Sequence, residues 1–160
     1  MQFKVIKIIP PNECNLILGT AHFIKTVEDL HECLVNSVPN LRFGLSFCES
    51  SGPCLIRSSG NNEVLKQTAI DTALRIGAGH SFIIFIRNAY PINVMNAIKN
   101  VPEVCTIHCA TANPVQILLV ETEQGRGILC VIDGFKPKGV ETKIDVEERK
   151  TFLRKIRYKL

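Results

Sequence analysis

The chain has 160 residues, 46% of them hydrophobic and 21% charged. That is the size and composition of one globular domain, and it excludes a disordered chain. No run approaches the roughly 18 apolar residues of a membrane span, so no membrane partner is expected. The net charge is +4, but six basic residues (Arg149, Lys150, Arg154, Lys155, Arg157 and Lys159) stand in the last twelve positions with no acid among them, leaving residues 1–148 at −2. Cations at the end of a terminal helix suit the helix dipole, whereas a nucleic-acid reader clusters them on a binding face; no nucleic-acid partner is expected.

In chain order, Phe3–Ile9 reads as a β-branched strand stopped by Pro10-Pro11, and Asn15–Ala21 as a second strand. Thr26 is the expected N-cap of a helix with Glu28 and Asp29 in its first turn. Val27, Leu30, Leu34 and Val38 follow at helical spacing until Pro39. Two strands, Leu41–Glu49 and Cys54–Arg57, flank Ser51-Gly52-Pro53. Asn61 or Asn62 caps a second helix, for which Gly77 is the natural C′ residue. Ser81–Arg87 is apolar throughout its middle, the pattern of a central strand covered on both faces. Pro91 opens a third helix that ends near Asn100. Strands follow at Val104–Ala110, Val115–Thr122 and, after the Gly125-Arg126-Gly127 turn, Ile128–Asp133. A loop covers Gly134–Val140. A last helix starts at Asp145, with Glu148 as capping-box partner and Val146, Phe152, Leu153 and Ile156 as its apolar stripe.

Helices are interspersed with adjacent strand pairs, and no linker divides the chain. The expected fold is a single compact α/β domain spanning residues 1–160, with a mixed β-sheet covered by helices. Regular βαβ alternation fails at residues 41–58 and 104–133, so a plain Rossmann fold is disfavoured. Seven cysteines, an odd number without a CxxC pair, and a Met-Gln-Phe-Lys start without an apolar leader point to a reducing cytoplasm. Cys48 and Cys54 flank a turn and could pair in a hyperthermophile.

The common nucleotide and zinc motifs are missing: there is no GxxxxGK[ST], no GxGxxG after a strand and no HExxH. Cys105, His108 and Cys109 lie on one strand, where the cysteines face one way and the histidine the other, so no metal is expected there. His22 stands at a strand-to-helix junction, a place that attracts anions, with Lys25 three residues on as a phosphate-binding point charge. His80 stands between a helix end and the central strand, with Gly77 and Gly79 allowing close backbone approach. Imidazole is a good acid, base or phosphoryl acceptor near neutral pH, although a histidine taken alone is more often structural. Weaker candidates are Asn93 and Asn96, one turn apart on the third helix. Asn113 stands before a strand, and Asp133 and Glu49 stand at strand ends. Arg126, between two glycines, has the geometry to clamp a phosphate.

Several longer strings carry a resemblance. Ala21-His22-Phe-Ile-Lys-Thr-Val-Glu-Asp-Leu30, Gly77-Ala-Gly-His80-Ser-Phe, Tyr90-Pro-Ile-Asn-Val-Met-Asn-Ala-Ile-Lys-Asn-Val-Pro-Glu-Val104 and Ala110-Thr-Ala-Asn-Pro114 resemble the adenosine-specific kinase family of archaea and some bacteria. The resemblance extends to Gly125-Arg-Gly127 and Asp133-Gly134. It implies a compact α/β fold, a homotrimer, and adenosine or AMP as ligand; no cofactor is firmly implied. It also implies a histidine that carries a phosphoryl group, and the two histidines in the matching strings are His22 and His80. A non-catalytic adenosine/AMP-binding homotrimer is the alternative function.

Overall fold

A computed structural model describes all 160 residues. Its elements in chain order are β1 (Gln2–Ile8), β2 (Asn15–Ala21), α1 (Thr26–Val35), β3 (Arg42–Cys48), β4 (Ile56–Gly60), α2 (Glu63–Ile76), β5 (Ser81–Arg87), α3 (Pro91–Lys99), β6 (Val104–Thr111), β7 (Val115–Glu121), β8 (Arg126–Asp133) and α4 (Lys143–Lys155). The chain is a single-body α/β fold without a closed barrel. Its strands form two sheets, ordered β4-β3-β5-β2-β6 and β1-β7-β8, and every strand pair in them is antiparallel. The hairpins at β3–β4 and β7–β8 lie in the two stretches where βαβ alternation breaks.

β5 is the centre. Residues 81–86 are all buried, because strand alternation sends Phe82, Ile84 and Ile86 to one face and Ile83 and Phe85 to the other. The first face packs with Ile17, Phe43, Leu45 and Phe47 under α1 and α3. The second packs with Leu16, Leu18 and residues of α2, and its core continues into Ile117 and Leu119 of the small sheet. The five-stranded sheet is thus covered on both faces, by two helices on one and by a helix plus a second sheet on the other.

Local chemistry sets most boundaries. Asn62 caps α2 by accepting the Leu65 N–H at 3.0 Å, and Gly77 ends it in the left-handed region at φ 58°. Several boundaries differ from expectation, β8 beginning at Arg126 inside the expected turn and α1 ending at Val35; three more have a local cause. Thr26 is inside α1 and not its N-cap. It is buried, and its hydroxyl donates to the carbonyls of His22 (3.0 Å) and Phe23 (2.6 Å). β4 begins at Ile56, after the Cys54 turn (φ 52°), and runs to Gly60. α4 begins at Lys143, because Thr142 is its cap and Asp145, not Glu148, completes the capping box by accepting the Thr142 N–H at 2.6 Å. The stripe expected on α4 finds no core: none of the helix's residues is buried. All seven cysteines are free, and burial raises the thiol pKa of Cys33 and Cys109 to about 11.

α2 crosses β3 at Gly44, where a Cβ would stand inside the backbone of Leu65 and Lys66. Gly44→Ala is expected to cost about 3 kcal/mol or more in urea unfolding, at the upper end of overpacking effects. Gly127→Ala, with open space around it, is expected to change stability by under about 0.5 kcal/mol. Equal costs would contradict the packing described.

His108 sits where the β2–β6 register shifts, with Nε2 2.9 Å from Thr20 Oγ1, and burial lowers its pKa below the usual 6.5. The unfolded chain therefore binds the proton more readily. The associated stability is present above pH 6.5 and is lost as pH falls through the lower folded value. His108→Gln is expected to flatten the fall in melting temperature on acidification below pH 6.5. An unchanged slope would rule His108 out as its source.

Candidate functional site at one end of the large sheet

Four chain segments finish or start together at one end of the five-stranded sheet. β3 ends at Cys48 and β2 at Ala21, while β5 begins at Ser81 and β6 at Val104. The residues just outside these limits are Glu49, His22, His80 and Glu103. Backbone bonds lock them into a row. The His80 N–H donates to the Cys48 carbonyl at 2.7 Å, Ala21 N–H to the His80 carbonyl at 2.9 Å, and His22 N–H to the Glu103 carbonyl at 2.9 Å. Because neighbouring strands are about 4.8 Å apart, the backbones at His80 and His22 are one strand spacing from each other.

His80 is half-buried and holds φ 62°, a conformation that histidine visits more readily than most residues. Its ring stacks on Phe47 at 5.9 Å with an 18° interplanar angle. His22 is exposed, with its carbonyl fixed by Thr26. The next residue, Phe23, is exposed and holds φ 74°, a strained value for a bulky side chain of the kind that gathers at functional sites.

Beyond His22 lies an ion cluster. Lys25 bonds to Asp29 and lies 2.5 Å from Glu103 Oε1. Asp29 first, and Glu103 second, raise the Lys25 pKa above the ordinary lysine value, while Lys25 lowers that of Asp29. Glu103 is 4% exposed, and its Oε2 is buried without a hydrogen-bond partner. On the other side of His80, Glu49 accepts from Arg57 Nη2 at 3.0 Å and from the Leu55 N–H at 3.1 Å.

A cleft of about 820 Å³ opens at Gly79, the residue before His80, between the β3–β4 hairpin, the end of α2 and the β7–β8 hairpin; neither histidine lines it, and the His80 ring lies on Phe47, which belongs to the core under α1 and α3. Glu49, Gly77, Gly79 and Arg126 all line it. A Cβ at Gly79 would come within 2.7 Å of Ser50 Cβ, so glycine lets the hairpin close on the segment before β5. Arg126 is not a solvated turn residue. Its Nε donates to Glu121 at 2.7 Å, and its Nη1 reaches the Arg75 and Ile76 carbonyls at 3.3 and 3.5 Å, closing the end of α2.

The remaining candidates stand elsewhere. A seven-residue strand spans roughly 20 Å, which puts Asn93, after β5, at the far end from His80. Asn93 accepts the Tyr90 N–H at 2.9 Å and the Tyr158 hydroxyl at 3.0 Å. Asn113 donates to Asp133 at 3.0 Å at the end of the small sheet opposite the cleft. Asn96 is exposed in the middle of α3. One pocket cannot hold all of these groups. Glu103 and Asp29 escaped the sequence reading: nothing in Pro102-Glu103-Val104 signals burial, and Asp29 reads as an ordinary first-turn acid.

Removing the Lys25 ammonium leaves the Glu103 carboxylate buried without a cation, the costly half of an ion pair. Lys25→Ala is expected to lower the urea midpoint clearly, and Glu103→Gln to remove most of that effect in the double variant. Additive effects would show that the pair is not coupled.

The family model described as "Adenosine specific kinase" matches residues 6–159. Among solved structures, the crystal structure of the PH1918 protein from Pyrococcus horikoshii OT3 is similar: 42% identical, with a TM-score of 0.94, covering 99% of this chain and 98% of that one. No curated protein matches.

Proposed function

This chain belongs to the adenosine-specific kinase family, and from that premise we propose that it binds adenosine and AMP at the His80 end of the large sheet and transfers a phosphoryl group through a histidine. One observation carries the proposal: His22 and His80 stand side by side at one end of the large sheet, where a backbone bond joins Ala21 to His80, and a cleft large enough for a nucleotide starts at Gly79, the residue before His80. In the downhill direction, the adenosine 5′-hydroxyl attacks the phosphorus of a phosphohistidine. The new P–O bond forms as the P–N bond breaks, the hydroxyl proton ends on the departing ring nitrogen, and AMP and neutral imidazole result. Glycine-bordered backbone N–H groups and the nearby cations are the available partners for the transferring oxygens. No helix is long and apolar enough to cross a membrane. The proposed setting is the cytoplasm, as a homotrimer, with a nucleoside or nucleotide and no nucleic acid as partner.

A second reading has an observation in its favour. Lys25 and Arg126, the cations best placed for a phosphate, are already held by carboxylates and carbonyls. A site with committed cations suits AMP binding without turnover, as in a sensor or buffer.

Intact and tandem mass spectrometry at neutral to alkaline pH decides between them, since phosphohistidine is acid-labile. An adduct on His22 or His80 that adenosine discharges as AMP is expected. Replacing that histidine by alanine is expected to lower turnover by at least about 1,000-fold, as for other covalent nucleophiles. Absence of an adduct with AMP still raising the melting temperature would favour the sensor. No stabilisation by either ligand at millimolar concentration would sink both.

A further inference from the structure

Two apolar surfaces of this chain lie uncovered. The first is the outer face of the small sheet. Strand alternation turns Ile117 and Leu119 of β7 inward, and therefore turns Phe3, Val5, Leu118, Cys130 and Ile132 outward. Leu129 joins them at the β7–β8 bulge. Phe3, Val5, Leu129 and Ile132 are 69%, 53%, 59% and 48% exposed. The second is the arm that follows β8. Phe135, Val140, Ile144 and Phe152 are 85%, 93%, 72% and 54% exposed, and α4 contributes no buried residue. The polar anchor of this arm on the body is Tyr158, which donates to Asn93 and sits edge-on to Tyr90. Thirteen residues of helix are marginal in water without a packed face.

The exposed area supplies a measure of what is missing. A monomer of 17.8 kDa is expected to expose about 8,000 Å². This chain exposes 9968 Å². The excess, about 2,000 Å², matches two interface patches of about 800–1,000 Å² each, which is what one protomer contributes when it both gives and receives a contact. The sheet face carries Lys7 and no carboxylate, and the groove around Ile144 and Phe152 on α4 has balanced charge, Glu147 and Glu148 against Lys143 and Lys155, so neither surface repels the other and apolar area decides the contact.

We propose that the arm of one copy, through Ile144 and Phe152, covers the outer β1-β7-β8 face of a second copy in a head-to-tail contact. A head-to-tail contact repeated around an axis closes into a ring. The contact rests on the assembly proposed above, and not on the nucleotide chemistry.

The test uses full-length chains and light-scattering mass. Val5→Lys disables the sheet face and Phe152→Glu the arm; Leu129→Lys and Ile144→Lys are the second pair if either fails to fold by circular dichroism. Each variant is expected to fall to the mass of one chain at concentrations where the wild type is fully assembled. An equimolar mixture is expected to form a two-chain species, because the intact arm of one meets the intact sheet of the other. Variants that assemble like the wild type would overturn the contact and leave assembly standing. Single-chain variants whose mixture does not rejoin would overturn the head-to-tail pairing. A wild type that weighs one chain would overturn both the contact and the assembly.

Discussion

The burial of β5 on both faces is the constraint on which the rest of the architecture depends. Each large apolar side chain withdrawn from water contributes about 1.5–3 kcal/mol, and this strand withdraws five in succession. Slipping its register by one residue would exchange Phe82, Ile84 and Ile86 with Ile83 and Phe85, and the two cores they serve differ in shape. One has α1 and α3 above it, and the other has α2 lying on Gly44. β2 and β3 are paired to β5 over six residues each, so the place where all three terminate is set by the same packing. That is how a hydrophobic pattern in the middle of the chain brings His22 and His80, 58 positions apart, to one sheet end.

The legible parts of the chain are those governed by short-range rules. The ends of β2 and β5, the Asn62 cap and the Gly77 stop follow from alternation, side-chain capping and the freedom of glycine. The family strings named both histidines. What was not legible depends on contacts distant in sequence. Nothing local distinguishes the two antiparallel sheets seen here from one mixed sheet, because strand order is decided by which faces meet. Thr26 has the chemistry of a cap, yet its hydroxyl donates backward to His22 and Phe23, because Lys25 already has helical backbone angles. Arg126 reads as a free phosphate clamp between two glycines, until the end of α2 is brought against it from 50 residues away. Glu103 gives no sign that β6 will bury it beside Lys25.

A phosphate entering this sheet end meets cations that already have partners, and the partners differ in how readily they yield. Arg126 is tied at Nε to Glu121 and at Nη1 to the end of α2, so turning it outward would open a helix terminus. Lys25 has two limbs of unequal burial. Its contact with Asp29 is an i,i+4 pair along α1 that water can still reach. Its contact with Glu103 faces a buried carboxylate that water cannot reach, and loss of the ammonium would strand that charge. The two carboxylates therefore do unlike jobs. Glu103 fixes the foot of the lysine and, through its own carbonyl, the backbone of His22. Asp29 closes the other side of the ammonium and is the larger cause of its raised pKa. The Lys25 ammonium is therefore held between two carboxylates, and an anion reaching it would first have to displace one of them, which costs more at buried Glu103 than at partly exposed Asp29.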